Sequence, residues 1–282
     1  MIPILFRVGP ITVYSYGLMI ALGFLAADII LRREFVRHGY GVELASRLLL
    51  VSLVSGLVGS RLYDILENLP TYLADPKLMI FSGSGFVFFG GLIGGILASV
   101  VFAGYYGIPW LRLADMAAPA LLLGHAIGRE GCQLSGDGDW GLPSTLPWAM
   151  AYPNAIVGWN SQTVLTLDSS GQLVSGYFPG VRVHPTPVYE TILYFLGFVV
   201  LWSMRKRLSD KDGQVFYLYL ILAGASRFVV EFVRINPRVL LGLSEAQLIA
   251  IAMVVVGLVG YTLSYMTSAK NPLPQKAGLT QP

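Results

Sequence analysis

Three arginines lie inside segments that are otherwise apolar, and they offer the plainest chemistry in the sequence. They are Arg61, Arg129 and Arg227. A guanidinium group keeps its proton at physiological pH and binds phosphate through a planar fork of N–H donors. An ionised residue in a membrane span costs about 2.5–3.5 kcal/mol on insertion scales, which makes it a functional candidate. The three arginines therefore predict a site for an anionic phosphate group.

Further polar residues are expected at the same depth as these arginines. Counted from the inner ends of their predicted helices, the arginines lie roughly 25, 27 and 21 Å along at 1.5 Å per residue. The polar residues expected at that level are Tyr16, His125, His184, Glu190, Glu231 and Arg234. Lipid headgroups are the abundant phosphates there. We therefore expect one polar cavity, open to the outer leaflet, with surplus positive charge and a bound anionic phospholipid.

Local pairing is the plain alternative for the arginines. Each has an acid close by in the sequence: Asp64 for Arg61, Glu130 for Arg129 and Glu231 for Arg227. Arg227, Glu231 and Arg234 follow each other at i, i+4 and i+7, so they share a helix face. Structural ion pairs alone would explain such charges without any ligand.

Several residues are candidates for moving a proton. Histidine titrates in the useful range unaided. His125, one turn before Arg129, suits a neutral base or a buried hydrogen-bond donor, and His184 suits a base or a loop entry fixed before Pro185. Glu190 and Glu231 remain further candidates. Cys132 could be a nucleophile activated by Arg129, or a small residue packed at a helix end.

The elements that position these residues are membrane helices. Hydrophobic residues make up 55% of the 282-residue chain and charged residues only 12%, against about 25% charged in a soluble domain. An all-α polytopic membrane protein with about seven transmembrane helices is expected. The predicted spans are 13–31, 44–66, 85–106, 111–131, 187–204, 213–233 and 244–267. The glycines of the third span favour close helix packing over a phosphate cradle.

The distribution of basic residues predicts the orientation. Eleven lysines and arginines fall on one side of the predicted spans, five on the other and three within them. The positive-inside rule then places the N-terminus outside and the C-terminus inside. Residues 1–270 are expected to form one integral membrane domain, with a head on the outer side at about 132–186 and a disordered tail on the inner side at 271–282. A small hairpin is expected at 163–175.

Composition also excludes some classes of function. A net charge of +3 favours neither nucleic acid nor an acidic substrate as a partner. The single cysteine rules out an internal disulfide and a multi-cysteine metal site.

The ordered motifs of the chain resemble a known family. The sequence carries YGLM at 16–19, GGLIG at 90–94, GREG at 128–131, HPTPVYE at 184–190 and RFVVEFVR at 227–234. In this order, over about residues 10–265, they resemble the prolipoprotein diacylglyceryl transferase family. The resemblance implies transfer of a diacylglyceryl group from phosphatidylglycerol to the lipobox cysteine of a prolipoprotein. A thioether forms and glycerol phosphate is released, and the reaction needs no metal and no cofactor. The resemblance also implies a bacterial inner membrane as the location, with the N-terminus and the head in the periplasm and the C-terminus in the cytoplasm.

The resemblance also implies roles for individual residues. Arg129 matches the signature arginine at the lipid headgroup, and Arg227 matches a second functional arginine that stabilises the departing phosphate. Tyr16 matches a headgroup donor. Glu231 and Gly141 also match. Asp137 stands where the family often has glutamate. With Arg61, Glu190 and Arg234, these residues form the expected catalytic and substrate-binding set.

Two positions depart from the family pattern. Phe89 replaces a histidine proposed as a base, and Cys132 replaces an asparagine. These departures leave the general base open and motivate one alternative, a member with altered or lost transferase activity. A phospholipid or small-solute transporter is the other alternative. The sequence has no internal repeat of the kind that would support a transporter.

Overall fold

A computed structural model of the protein describes residues 1–9, 11–74, 87–157, 165–167, 173–175, 182–208 and 211–270. Most of this described chain is helical. The helices are α1 (Ser15–Arg37), α2 (Val42–Glu67), α3 (Leu69–Ala74), α4 (Phe88–Tyr105), α5 (Trp110–Ser135), α6 (Thr186–Leu208), α7 (Gln214–Glu231) and α8 (Glu245–Lys270).

Each predicted span coincides with one of these helices. Within the described chain, six of them are long and apolar enough to cross a membrane, namely α1, α2, α4, α6, α7 and α8. The fourth predicted span is realised as α5, which is 26 residues long but carries charged residues such as Arg112 and Arg129 along its length. The all-α polytopic membrane fold is confirmed.

Within the described ranges, three antiparallel hairpins accompany the helices. Their strands are β1 (Ile4–Val8) with β2 (Ile11–Tyr14), β3 (Leu165–Leu167) with β4 (Leu173–Ser175), and β5 (Arg238–Leu240) with β6 (Leu243–Ser244). Pairing of β3 with β4 confirms the hairpin expected at 163–175, although its turn lies outside the described residues. The other two hairpins were not predicted. The expected disordered tail at 271–282 also lies outside the described residues.

The chain forms two compact units, one of residues Asp28–Met116 and one of Met1–Ala27 with Ala117–Pro282. In the first of these, α2 and α4 pack against each other through glycines. A Cβ atom added at Gly90 would overlap the Gly59 carbonyl oxygen and the Tyr63 side chain. In lipid, van der Waals contact between closely approaching backbones takes the place of the hydrophobic effect in holding helices together. The helix-packing interpretation of these glycines is confirmed.

In the other unit, α6, α7 and the part of α5 from Ala118 onward pack around an apolar core. Leu122, Leu201 and Val215 are almost fully buried there. Helix α8 lies close against α7, since a Cβ at Gly224 would come within 2.8 Å of the Ala250 carbonyl oxygen. This packing fixes the ends of α5, α6 and α7 beside one another.

The segment after α5 is tied to these helix ends by backbone hydrogen bonds. The Gly141 amide donates to the His184 carbonyl at 2.9 Å, and the Leu142 amide donates to the Val233 carbonyl at 2.8 Å. Trp140, Tyr152 and Val183 form a small buried core above them. The described part of the predicted head therefore packs on the ends of these helices.

Candidate functional site

Three arginines and three carboxylates alternate in a closed ring at the ends of α5, α6 and α7. Going round it, the members are Arg129, Glu190, Arg227, Glu231, Arg234 and Asp139, and each forms an ion pair with the next. We call this set the ion-pair ring. It joins residues that are as far apart as Asp139 and Arg234 in the chain.

Glu190 bridges the two arginines that the family motifs single out. Its Oε2 lies 2.7 Å from Nε of Arg129, and its Oε1 accepts a hydrogen bond from Nη1 of Arg227 at 2.5 Å. The Glu190 side chain is 0% exposed, whereas those of Arg129 and Arg227 are 23% and 21% exposed. One buried carboxylate thus holds two guanidinium groups side by side, and each of the two arginine side chains is partly exposed.

Glu231, the last residue of α7, is the ring member between Arg227 and Arg234. Its Oε2 lies 3.0 Å from Nη2 of Arg227 and 3.6 Å from Nε of Arg234. Its Oε1 accepts hydrogen bonds from the Asn236 amide at 2.6 Å and the Ser244 hydroxyl at 2.8 Å. With these partners and no exposed surface, Glu231 is fixed in place.

Asp139 completes the ring from the loop after α5. Its Oδ1 lies 2.6 Å from Nη2 of Arg234, and its Oδ2 pairs with Nη1 of Arg129. Gly136 and Gly138 have φ of +63° and +96°, a conformation that favours glycine, and they turn the chain back over the helix end. The backbone oxygen of Asp139 accepts a hydrogen bond from the Thr186 hydroxyl, which anchors the loop to α6.

Gly141 occupies a position that only glycine fits without displacement of its neighbours. A Cβ there would overlap the Val233 carbonyl oxygen and lie 2.8 Å from Thr186 and 2.9 Å from His184. Three segments meet at this point: the loop after α5, the start of α6 and the residues just after α7. Gly141 therefore acts on the site by allowing this close approach, and any contact of its own with substrate stays a prediction.

The ring corrects the expected surplus of positive charge. Three guanidinium groups face three carboxylates, so the formal charge of the ring is zero. The alternative of local pairing is right for Arg227 and Glu231. It is wrong for Arg129, whose ion-pair partners are Asp139 and Glu190 rather than the neighbouring Glu130.

The two aspartates of the loop are in opposite electrostatic situations. Burial alone would raise the pKa of Asp139, but the guanidinium groups of Arg234 and Arg129 outweigh it and hold that pKa below its ordinary value. Asp137 is outside the ring, and burial raises its pKa. Its carboxylate lies within 4.8 Å of the Cys132 sulfur. Asp139 is thus a fixed anion, whereas Asp137 is better suited to taking up a proton.

The histidines lie beside the ring rather than in it. The His125 ring stacks on that of Tyr194, with the centroids 5.2 Å apart. Nδ1 of His184 lies 3.2 Å from the Tyr189 hydroxyl, and burial lowers the His184 pKa. His125 lies in α5 one turn before Arg129, and His184 lies just before α6, the helix that carries Glu190. Their roles as bases stay predictions.

Two of the remaining predicted residues differ in how they relate to the ring. Tyr16 packs against α5 near Arg129, since a Cβ at Gly131 would lie 3.2 Å from its ring. Arg61 belongs to the unit of residues 28–116, where its guanidinium group lies 5.7 Å from the centre of the Tyr72 ring. Phe89, in that same unit, packs edge-on against Phe88. A part for Arg61 in substrate binding stays a prediction.

Cys132 lies next to the ring at the end of α5. Its sulfur is 3.7 Å from Nη1 of Arg129 and forms a cluster with the carboxylates of Asp137 and Asp139, all within 4.8 Å of one another. These are metal-ligand types, but Asp139 already pairs with two arginines. The positive charge of Arg129 opposes a cation at this point.

Asp139 is the functional candidate that the sequence reasoning missed. It was not among the expected site residues, yet it pairs with two of the ring arginines. Its position directly before Trp140 and Gly141 was the available signal. Asn236 and Ser244, which hold Glu231, were also missed, because nothing in their local sequence marks them as partners of a buried acid.

Comparison with known proteins gives consistent matches along almost the whole chain. The sequence model of the family described as prolipoprotein diacylglyceryl transferase matches residues 3–263. A phosphatidylglycerol–prolipoprotein diacylglyceryl transferase of Clostridium tetani is 31% identical over 259 residues, covering 91% of this chain and 95% of the relative. The protein of the same name from Lysinibacillus sphaericus is 31% identical over 260 residues, covering 91% and 89%. That from Fusobacterium nucleatum is 28% identical over 276 residues, covering 91% and 96%.

Proposed function

The chain belongs to the prolipoprotein diacylglyceryl transferase family, and on this premise we propose that the ion-pair ring holds the phosphate of its lipid donor. The protein is a multi-pass membrane enzyme that transfers the diacylglyceryl group of phosphatidylglycerol to a prolipoprotein cysteine. The names of the relatives carry no support for a transporter or for a member that has lost the activity. The inner membrane, a periplasmic N-terminus and lipobox signal peptides as acceptors complete the proposal.

The reaction defines what the site must provide. The sulfur of the acceptor cysteine forms a bond with the terminal glyceryl carbon of the diacylglyceryl group, and the bond from that carbon to the phosphate oxygen breaks. The electron pair of that bond leaves with glycerol phosphate, and the thiol proton must pass to a base. The site therefore needs a phosphate clamp, a proton acceptor and lateral access for lipid.

The bridge formed by Glu190 is the observation that carries the proposed clamp. It holds the guanidinium groups of Arg129 and Arg227 on either side of one carboxylate, with about a fifth of each side chain exposed. A phosphate that reaches both guanidinium groups from the exposed side of these side chains can accept hydrogen bonds from both. The charge that develops on the leaving phosphate is then stabilised by donors that are already in place.

Asp139 would compete with the lipid for Arg129. Its side chain is 30% exposed, more than any other member of the ring, and it lies on a loop rather than a helix. A phosphate monoanion that binds Arg129 would replace the Asp139 carboxylate at Nη1 while Arg234 keeps the other oxygen. Before lipid binds, the ion pairs of the ring would keep the arginines charged and aligned.

For the general base we propose Asp137. Glu190 and Glu231 are fully buried and occupied by arginines, so they serve as positioning residues. The Asp137 carboxylate is outside the ring, lies within 4.8 Å of a thiol sulfur, and has a pKa that burial raises. His184, whose pKa burial lowers, is the second candidate. Asp137→Asn should remove the acidic limb of the pH–rate profile, whereas loss of that limb in His184→Gln would transfer the role to His184.

The decisive assay supplies the purified protein in nanodiscs with phosphatidylglycerol and a lipobox peptide. Mass spectrometry then detects the thioether-linked product. Arg129→Lys and Arg227→Lys keep the positive charge but lose the fork, so each should lower turnover by at least about 100-fold. Arg32→Lys, which changes an exposed arginine paired with Asp28, is the matched control. Normal turnover in the two ring variants would contradict the clamp.

A further inference from the structure

The hairpin between α7 and α8 has an apolar tip with an unusual turn. Its two strands are joined by Leu241 and Gly242, whose φ angles are +52° and +73°. A two-residue turn with positive φ at both positions is of type I′, in which Asn-Gly is the preferred pair. Leucine has no local hydrogen bond to offer in this conformation and is strained there. No contact among the described residues accounts for a leucine at this position.

The tip exposes three consecutive apolar side chains. Val239, Leu240 and Leu241 are 60%, 57% and 89% exposed. The charge nearest to them, Arg238, is directed to the base of the hairpin. Its Nη1 donates to Oε1 of Gln247 at 2.7 Å and its Nη2 donates to the Glu231 carbonyl at 3.3 Å. The side chains at the tip, Val239 to Leu241, are therefore all apolar.

The base of the hairpin is fixed to the ion-pair ring. The Ser244 hydroxyl donates to Glu231 at 2.8 Å, and the Ser244 amide donates to the buried Gln247 side chain at 3.1 Å. These hydrogen bonds fix the position of the tip along the helix axes relative to the ring arginines. A change in the position of the tip would act directly on the carboxylate that pairs with Arg227.

The position of the hairpin in the chain determines what surrounds it. It connects the end of α7 with the start of α8, both of which are apolar enough to cross a membrane and pack side by side. The first hairpin lies at the same end of this unit, since the Ile2 amide donates to the Leu134 carbonyl near the end of α5. It exposes Phe6 and Val8 by 55% and 63%. Two separate hairpins thus present apolar side chains at the end of the unit where the ring lies.

We propose that the tip at Val239–Gly242 is immersed in the hydrocarbon of the leaflet that faces the ring. Burial in lipid explains why three apolar side chains are exposed from the protein and offsets the strain at Leu241. The immersed tip fixes the depth of the membrane surface relative to the ring, so that lipid phosphates lie level with Arg129 and Arg227.

Site-directed spin labelling tests this immersion directly. Cys132 is the only cysteine in the sequence and is buried, so a cysteine introduced at Leu241 can be labelled against the wild type as background. In nanodiscs, collision rates with oxygen, which concentrates in hydrocarbon, are compared with those of a nickel chelate that stays in water. Leu57→Cys, on the exposed face of α2, gives the hydrocarbon reference, and Arg207→Cys gives the aqueous one.

The expected result is that the label at Leu241 resembles that at Leu57, with oxygen collisions several times more frequent than nickel collisions. A label at Leu240 in a Leu241→Asn background should become more accessible to nickel, while the melting temperature in detergent is kept or rises as the strain is relieved. A label at Leu241 that resembles Arg207, or one shielded from both reagents by a second copy or a bound peptide, overturns the proposal. Because no turnover is needed, this outcome is independent of the proposed function.

Discussion

Substitution of Glu190 by glutamine tests the ring at its central member. The change keeps the shape of the side chain but removes its negative charge, and one oxygen becomes an amide donor. Whichever oxygen is replaced, that donor then faces the guanidinium donors of either Arg129 or Arg227 at about the present distances of 2.7 and 2.5 Å. One charge-assisted hydrogen bond is lost, and the two arginines are no longer held at a fixed separation.

The size of the effect follows from the bond that is lost. A hydrogen bond to a charged group contributes roughly 1.5–3 kcal/mol, and every 1.4 kcal/mol is about tenfold in rate. Turnover should therefore fall by about 10- to 150-fold. The formal charge of the ring rises from zero to +1, so binding of the anionic lipid should be kept or tightened. The expected signature is a lower kcat with an unchanged or lower KM for phosphatidylglycerol.

Glu130→Gln is the matched control, because Glu130 follows Arg129 in the same helix and is not a member of the ring. Initial rates over a range of phosphatidylglycerol concentrations in mixed micelles give kcat and KM for both variants, and thermal unfolding gives the folded fraction. The control should stay within about twofold of the wild type. Equal kinetics of the two variants at equal folded fraction would refute the reasoning.

Three further outcomes follow from the same structure. Gly141→Ala should destabilise the protein by about 1–3 kcal/mol, seen as a lower melting temperature, whereas Gly17→Ala, whose Cβ meets nothing within 4 Å, should not; equal melting temperatures would contradict the close approach. Because the folded-state pKa of Asp139 is lowered, its ion pairs stabilise the fold above the ordinary carboxyl pKa of about 3.9 and are lost as pH falls toward the lowered value. Asp139→Asn should therefore be less stable at pH 7, with a smaller further loss of stability between pH 4 and 2; an acid profile parallel to the wild type would oppose this. Arg61→Gln should raise the KM for phosphatidylglycerol severalfold without loss of stability if Arg61 binds the donor, and an unchanged KM removes it from the site.

The helices and the key arginines were predictable from the sequence because the signals for both are local. An apolar segment long enough to cross the bilayer is visible in any window of the chain, and all seven predicted segments are helices. A charge inside such a segment is equally visible, as at Arg129 and Arg227. The ion pair of Arg227 with Glu231 also followed from spacing, since residues four apart share a helix face.

The charge balance of the site was decided only by the tertiary structure. Asp139 reaches Arg234 across 95 positions of the chain, and Glu190 reaches Arg227 across 37. Such pairs depend on how helix ends and the loop after α5 come together, which neither spacing nor hydropathy encodes. The sequence therefore predicted arginines in excess, whereas packing brings a carboxylate to each of the three in the ring, because a buried charge is stable only beside its opposite.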